Sequence, residues 1–166
     1  MNEQSQTNQE LIEENSALKQ RIQDLEQSES TRKRAEAVLQ NSEQKYRLLI
    51  ENTHDIIATL SPEGVFTFVS PSWTKLLGHP VAQVIGKKMG EFIHPDDLAN
   101  CHVFLETVIK TGQRKSGIEY RVQHADGSWR WHTSNGVPVR DEADTVVGYE
   151  AITSDITERK RAEEAL

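Results

Sequence analysis

Several features are scarce or missing in this sequence, and each absence excludes a class of protein. Only one cysteine is present, Cys101, so neither an intrachain disulfide nor a cysteine metal site can form. No apolar run reaches the roughly 18 residues of a membrane-spanning helix, and the start has no signal-peptide pattern. The net charge of −7 argues against a nucleic-acid surface, because phosphate binding depends on Lys and Arg. We therefore expect a soluble, cytoplasmic chain without a membrane or nucleic-acid partner in this segment.

Glycine and proline are also absent from Asn8 to Glu51, where most residues are good helix formers. We predict that residues 1–45 form an N-terminal coiled-coil helix, with a phase shift in its heptads after residue 29. A helix of about 40 residues is roughly 60 Å long, too long to bury its apolar stripe on a small domain, so a second copy is the expected partner. The residues predicted to mediate this homodimer are Leu11, Asn15, Leu18, Ile22 and Leu25.

Other interpretations of this segment were weighed against the coiled coil. A charged, solvated single helix is the alternative, because the first turns are rich in Gln and Asn. A basic-zipper DNA-binding segment is excluded, because basic residues precede the leucines there and follow them here, at Arg32–Arg34. Asn15 at a seam position is expected to set register and strand number. The sequence leaves open whether the two helices run parallel or antiparallel.

After Glu51 the pattern changes to that of a mixed domain. Two short β-rich runs at 55–60 and 65–70 are joined by a turn, and short helices follow. Residues 94–112 have apolar positions at helical spacing and predict a longer helix. Three further strands come next, the first two joined by the hairpin signal Asp126-Gly127. This order predicts an α+β fold, with an antiparallel sheet carrying helices on one face.

In their order and spacing, these segments resemble a PAS (Per-Arnt-Sim) sensory domain of the S-box type over roughly residues 43–158. The segments that carry the resemblance are "SEQKYRLLIENTHDII", "GVFTFVSPSWTKLLGH", "VIGKKMGEFIHPDD", "ADGSWRW", "GVPVRDEADTVVGYEAITSDIT" and "ERKRAEEAL". The resemblance implies the PAS fold, a five-stranded antiparallel sheet enclosing a small pocket, over residues 46–156, with a signalling helix starting at 157–166. It also implies a sensing or dimerising role beside an output domain, often a histidine kinase of a two-component system or a diguanylate cyclase.

The triplet Asp155-Ile156-Thr157 resembles the "DIT" motif of the family, where the last strand becomes a helix. From the residues themselves, Asp155 is predicted to cap that helix, with Glu158 completing a capping-box-like pair. The resemblance adds a salt bridge from Asp155 to an arginine of the neighbouring strand, for which Arg130 is the candidate. The predicted signal-coupling residues are therefore Asp155, Ile156, Thr157 and Arg130. The alternative is that Asp155 only caps the helix and Arg130 is a surface residue.

The pentapeptide "RKRAE" occurs at 32–36 and again at 159–163. We interpret the two copies as parts of the helices that enter and leave one sensor unit. The final helix has no Gly or Pro to end it, which indicates either a segment of a longer protein or a minimal stand-alone sensor.

No arrangement of residues in the sequence points to catalysis, so we predict no enzyme activity. Six single histidines lack metal-ligand spacing, and no metal site is predicted. His102 lies at the edge of an apolar helix stripe, where some PAS domains ligate haem, although a hydrogen-bonded core-edge histidine is the favoured interpretation. "NCHVFL" around Cys101 lies beyond the place of the cysteine phrase of flavin photosensors, so Cys101 is expected to be a small buried residue.

The resemblance also supplies a candidate ligand pocket from the inner surface of the family's fold. Its predicted lining residues are Ile57, Phe68, Trp73, Phe92, His102, Leu105 and Tyr120. Our leading hypothesis is a dimeric sensory module that couples a small ligand or partner signal to an output domain through its flanking helices. The alternatives are a ligand-free dimerisation and interaction spacer, and a haem- or flavin-binding redox sensor. The cofactor, the ligand and the output domain are not identified by the sequence.

Overall fold

A computed structural model describes the backbone of residues 3–166 and the side chains of residues 7–166. Two strands, short helices, one longer helix and three strands follow the N-terminal helix, as predicted. The elements are α1 (Glu3–Asn52), β1 (Ile56–Leu60), β2 (Phe66–Val69), α2 (Ser72–Leu77), α3 (Val81–Val84), a 3₁₀ turn (Met89–Glu91), α4 (Pro95–Thr111), β3 (Lys115–Gln123), β4 (Trp129–Arg140), β5 (Val146–Asp155) and α5 (Thr157–Glu164).

The five strands form one antiparallel sheet in the order β2-β1-β5-β4-β3. The first and last strands in sequence are therefore neighbours at its centre, where Ala58 pairs with Ala151 and Ala151 pairs with Gly136. This arrangement confirms the predicted α+β architecture. It also places the end of β5, and hence the start of α5, beside β4.

The hydrophobic core lies between one face of the sheet and the helices. Along β1, alternation directs Ile56, Ala58 and Leu60 into the core, because successive side chains of a strand point to opposite faces. Helix α4 covers these residues with one apolar face, whose buried members are Cys101, Phe104, Leu105 and Val108. The predicted apolar stripe of this helix is thereby confirmed.

Helix α4 is fixed at both ends by local chemistry. His94 caps its start, with Nδ1 accepting a hydrogen bond from the N–H of Asp96 at 3.2 Å. At its other end Gly112 adopts φ 62°, a left-handed conformation that favours glycine. Asp97 ties the first turn to β3 by accepting three hydrogen bonds of 2.8–2.9 Å from the backbone and guanidinium of Arg121. The helix is therefore held firmly over the sheet.

Helix α1 is a single helix of 50 residues. Its predicted seam is exposed: Leu11, Leu18, Ile22 and Leu25 each retain 55–62% of their accessible surface. The chain divides into two compact units, one up to Arg47 and the other from Leu48 to Leu166. None of the described helices combines the length and apolar character needed to cross a bilayer.

Candidate functional site

A cavity of about 50 Å³ lies between the sheet and the helices. Small residues create this space, because Ala58 and Ala151 are paired neighbours whose side chains leave the middle of the sheet uncovered. Beside them, the ring of Tyr149 packs directly over Gly136, where any added Cβ would clash with the ring. The cavity is lined by Ile56, Ala58, Leu60, Phe66, Trp73, Met89, Phe92, Ile93, Cys101, Phe104, Leu105, Ile118, Tyr120, Val122, His132, Tyr149, Ala151 and Thr153.

One side of the cavity is apolar and aromatic. Phe66, Trp73 and Phe92 meet edge to face, with ring centroids 5.1–6.0 Å apart. Such contacts favour a rigid wall, because each ring edge meets a neighbouring ring face. Trp73 also brings a polar atom, since its Nε1 is buried and finds no hydrogen-bond partner among residues 7–166.

Three hydroxyl groups from three adjacent strands meet beside the cavity, and two of their residues, Tyr120 and Thr153, line it. Tyr120 Oη lies 2.7 Å from Ser134 Oγ, which lies 2.5 Å from Thr153 Oγ1. Removal of the Tyr120 hydroxyl from water raises the pKa of that group, so the phenol stays protonated at neutral pH. We call Tyr120, Ser134 and Thr153 the hydroxyl cluster.

His132 lies beside the hydroxyl cluster and is 1% exposed. Burial lowers the pKa of His132 to about 4, because the charged imidazolium would lose its hydration. Asp155 opposes this shift and Arg130 adds to it. Nε2 of His132 lies 3.9 Å from Asp155 Oδ2 and makes no hydrogen bond within the described chain. The imidazole is therefore neutral at pH 7.

Cys101 belongs to the cavity wall and is buried, as predicted. Burial, assisted by the negative charge of Asp97, raises the pKa of the Cys101 thiol to about 12. The thiolate is the nucleophilic form of cysteine. At neutral pH this residue is therefore a small protonated wall group without nucleophilic character.

The junction between β5 and α5 adjoins this wall. Asp155 is paired with His132 in the β4–β5 register, and its Oδ1 accepts a 2.7 Å hydrogen bond from the N–H of Thr157. Thr157 Oγ1 in turn accepts from the N–H of Trp131 at 3.0 Å, and Ile156 N–H donates to the Trp131 carbonyl at 2.8 Å. Thus the first residues of α5 are tied to β4 through both side chain and backbone.

Two details of this junction correct the sequence prediction. The residue at the N-cap position is Ile156, since Asp155 still belongs to β5, although its carboxylate does accept from the first turn of the helix. The side chain facing Asp155 is the neutral imidazole of His132, and no ion pair between Asp155 and Arg130 is formed within residues 7–166. In the register of β4 and β5, Asp155 pairs with His132, and Arg130 lies two residues earlier on β4. The Nε of Arg130 is buried and has no hydrogen-bond partner among the described residues.

The start of α5 is also held by charges on the outer face of the sheet. Glu119 of β3 lies 2.5 Å from Arg159 and 2.6 Å from Lys160. The Lys160 ammonium also lies 5.1 Å from the centre of the Trp131 ring. These contacts use the first two residues of the second "RKRAE" copy, whereas the first copy pairs within its own helix, as Arg32 with Glu36 does.

Four of the seven predicted pocket residues line the cavity: Trp73, Phe92, Leu105 and Tyr120. The other three do not. Ile57 alternates with the buried Ile56 and Ala58 and so points to the outer face of the sheet, and Phe68 is 39% exposed. His102 is exposed on the outer side of α4 and borders a separate surface groove. Whether the cavity binds a ligand stays a prediction.

Sequence reasoning missed three polar wall residues, namely His132, Tyr149 and Thr153, together with Ser134 behind them. In "SWRWHTS", the tryptophans attract attention as core residues, yet Trp129 is 37% exposed and His132, which follows the second tryptophan, is buried. No local signal identifies a strand whose polar positions face the core. For Ile57 the sequence did contain a signal: Thr59 lies on the same face of the strand and is polar, which indicates that this face points away from the core.

The cavity does not fit a haem or a flavin as it stands. Ligand pockets for such molecules span about 300–1,000 Å³, whereas this one measures about 50 Å³. His102, the candidate haem ligand, lies outside it. Groups of three or more His, Cys, Asp or Glu side chains able to hold a metal are absent from the described residues.

Comparison with known proteins gives the same fold. A family model described as "PAS fold" matches residues 66–153. The chain is 29% identical over 132 residues to the uncharacterized protein y4lL of Sinorhizobium fredii, covering 80% of this chain and 16% of that one. It is 25% identical over 121 residues to the methanogenesis regulatory histidine kinase FilI of Methanothrix harundinacea, covering 73% and 13%.

Among solved structures, the PAS domain of an HTR-like protein from Haloarcula marismortui superposes with a TM-score of 0.65 at 24% identity, covering 75% of this chain and 99% of that one. This likeness concerns the fold alone. The chain spans about a sixth or less of the length of these two curated relatives, y4lL and FilI.

Proposed function

The chain belongs to the PAS fold family of sensory domains, and from this premise we propose that it couples the state of its cavity to helix α5. Homologues of this chain include a regulatory histidine kinase, which supports a role in signal transduction. PAS domains are sensory rather than catalytic. The output domain in this proposal is a kinase or cyclase that follows α5, and the site of action is the cytoplasm.

The observation that carries the proposal is the double position of His132. This buried residue lines the cavity and also faces Asp155, whose carboxylate holds the first N–H of α5. A molecule that changes the packing of the His132 ring therefore changes the surroundings of Asp155 directly. To alter the output, the ligand must bind one arrangement of this junction more tightly than the other, because equal affinity shifts no population.

Substitution of Asp155 tests the coupling. The chain is fused through α5 to a histidine kinase or diguanylate cyclase domain, and output is measured for wild type and Asp155→Ala. We expect an altered output, with a loss in unfolding free energy of only about 1 kcal/mol, because one hydrogen bond to a helix start is removed. Asp96→Ala, at a side chain that is 75% exposed, is the matched control. Wild-type signalling by Asp155→Ala would show that this junction does not transmit the signal.

Dimerisation through α1 is the second part of the proposal. The exposed seam of Leu11, Leu18, Ile22 and Leu25 supports it, because leaving four large apolar side chains in water on one helix is unfavourable. We expect Leu18→Asp combined with Leu25→Asp to shift the mass measured by light scattering from dimer to monomer. The control places the same charges off the seam, at Gln20→Asp and Gln27→Asp. An unchanged mass in the leucine variant contradicts the coiled coil.

A ligand-free spacer is the competing function, and the small size of the cavity favours it. In that case α1 and the sheet would set the geometry of a dimer, and the cavity would be only a packing defect. Native mass spectrometry of the purified chain distinguishes the two functions. A retained small molecule supports sensing, whereas a bare mass together with unaltered output from a cavity-filling variant supports the spacer.

A further inference from the structure

The cavity wall is polar in part but electrically neutral. Across the described residues, no Asp, Glu, Lys or Arg lines it. Its titratable groups belong to Cys101, Tyr120, His132 and Tyr149, and burial shifts the pKa of each toward the uncharged form. A charged molecule would lose its hydration in this cavity and find no counter-ion, which is a large cost in free energy.

The wall also holds a buried hydrogen-bond donor that has no partner in the described part of the chain. Trp73 is 5% exposed, and its indole N–H is unpartnered within residues 7–166. The hydroxyl cluster, in contrast, is hydrogen-bonded within itself. A buried donor without a partner is costly. The unpartnered indole N–H therefore favours a molecule that brings an acceptor.

The volume limits the size of that molecule. A single water needs about 10–15 Å³ of such space, so a cavity of about 50 Å³ has room for roughly three to five non-hydrogen atoms. The remaining wall is formed by aromatic rings and aliphatic side chains, which favour an apolar portion on the same molecule.

From the neutral wall, the unpartnered N–H of Trp73 and the volume, we propose that the cavity binds an uncharged molecule of about four non-hydrogen atoms with one hydrogen-bond acceptor. Small amides, alcohols and ketones form this class. The inference rests on the proposed function, since it names the ligand class of the same cavity. A carboxylate of equal size is disfavoured because it lacks a counter-ion. An alkylammonium ion could use the ring faces but would leave the Trp73 N–H unpaired.

Three probes with equal numbers of non-hydrogen atoms test the class: acetamide, acetate and trimethylammonium. Each is titrated into the full chain at millimolar concentration while indole N–H resonances are followed by ¹H–¹⁵N NMR. Trp73→Phe identifies the Trp73 resonance. We expect acetamide to shift that resonance saturably, with a Kd no tighter than on the order of tens of micromolar for so few atoms. Acetate and trimethylammonium should leave it unchanged.

Two variants locate the binding. Trp73→Phe should weaken acetamide binding about tenfold, the effect of one hydrogen bond, as measured by saturation-transfer NMR on the acetamide methyl group. Trp129→Phe, at an exposed ring, should leave it unchanged. Ala151→Val fills the cavity and should abolish binding, whereas Ser154→Val, on the outer face of the same strand, should not.

The inference is overturned if acetate or trimethylammonium binds as tightly as acetamide, if no probe binds, or if only the Trp129 and Trp131 resonances shift. The fusion to an output domain shows whether a negative result concerns only the proposed ligand class or the proposed sensing function as well. If a charged probe binds and Ala151→Val abolishes the response of the fusion, the class is wrong and sensing stands. If no probe binds and Ala151→Val signals as wild type does, both fail.

Discussion

The neutral state of His132 has a consequence for stability that can be measured. In the unfolded chain a histidine titrates near 6.5, whereas in the fold burial holds the pKa of His132 at about 4. Between these values the unfolded state binds the extra proton, so stability is full above pH 6.5 and falls as the pH drops. At about 1.4 kcal/mol per pH unit, lowering the pH from 7 to 5 should remove roughly 2 kcal/mol through this single group.

The groups that face His132 do not cancel this loss of stability at low pH. They are Asp155 on β5, Arg130 on its own strand, Tyr120 on β3, with ring centroids 6.5 Å apart, and Cys101 of α4 across the cavity. Tyr120 and Cys101 remain protonated over this range, since burial raises the pKa of each. Protonation of His132 would therefore place a second positive charge near Arg130 inside a neutral wall.

The assay is urea denaturation of wild type, His132→Gln and His102→Gln at pH 7 and pH 5. Whatever other groups contribute is common to all three proteins. We expect the wild type and His102→Gln to lose about 2 kcal/mol more than His132→Gln does between the two pH values. His102 is an exposed histidine and controls for removal of an imidazole as such. Equal losses in all three proteins would refute the argument that burial keeps His132 uncharged.

Two further predictions concern packing and the anchoring of α4. An unfilled cavity of about 50 Å³ costs roughly 1.2 kcal/mol at about 24 cal/mol per Å³. Ala151→Val adds two carbons there and should raise the unfolding free energy by up to about 1 kcal/mol. A loss of stability would mean that the cavity has no room for those two carbons. Asp97→Ala should lower it by about 2 kcal/mol, because Arg121 loses a partly buried, bidentate partner. Asp96→Ala should cost less than about 0.5 kcal/mol, and equal effects of the two substitutions would contradict this account.

The order of the elements was predictable because it depends on local signals. The turn at Asp126-Gly127 and the left-handed Gly112 end their elements where the sequence indicates, and the apolar spacing of α4 identifies its buried face. The four predicted pocket residues that do line the cavity were predicted from the family resemblance. The hydroxyl cluster could not be predicted, because it is assembled from residues of three strands whose register is set by the whole sheet.

Phe68 shows why the faces of strands were harder to assign. Phe66 and Phe68 are two residues apart and should share a face in a regular strand. In the fold, Leu60 pairs with Phe66 and the adjacent Thr59 pairs with Phe68, so β2 carries one extra residue. Such a bulge reverses the alternation, and Phe66 is buried while Phe68 is 39% exposed. Nothing in "VFTFVS" indicates that break in register.

The start of α5 is anchored on both faces of the sheet, and these contacts bear on the proposed coupling between the cavity and the helix. On the inner side, Asp155 and Thr157 accept hydrogen bonds of 2.7 and 3.0 Å from backbone N–H groups, which fixes the first residues of α5 to β4. On the outer side, Arg159 and Lys160 hold Glu119 at the surface, where ion pairs contribute little. Under the proposed coupling, these outer contacts guide the direction of α5 without fixing it, and a change at the His132–Asp155 contact is expected to reorient the helix.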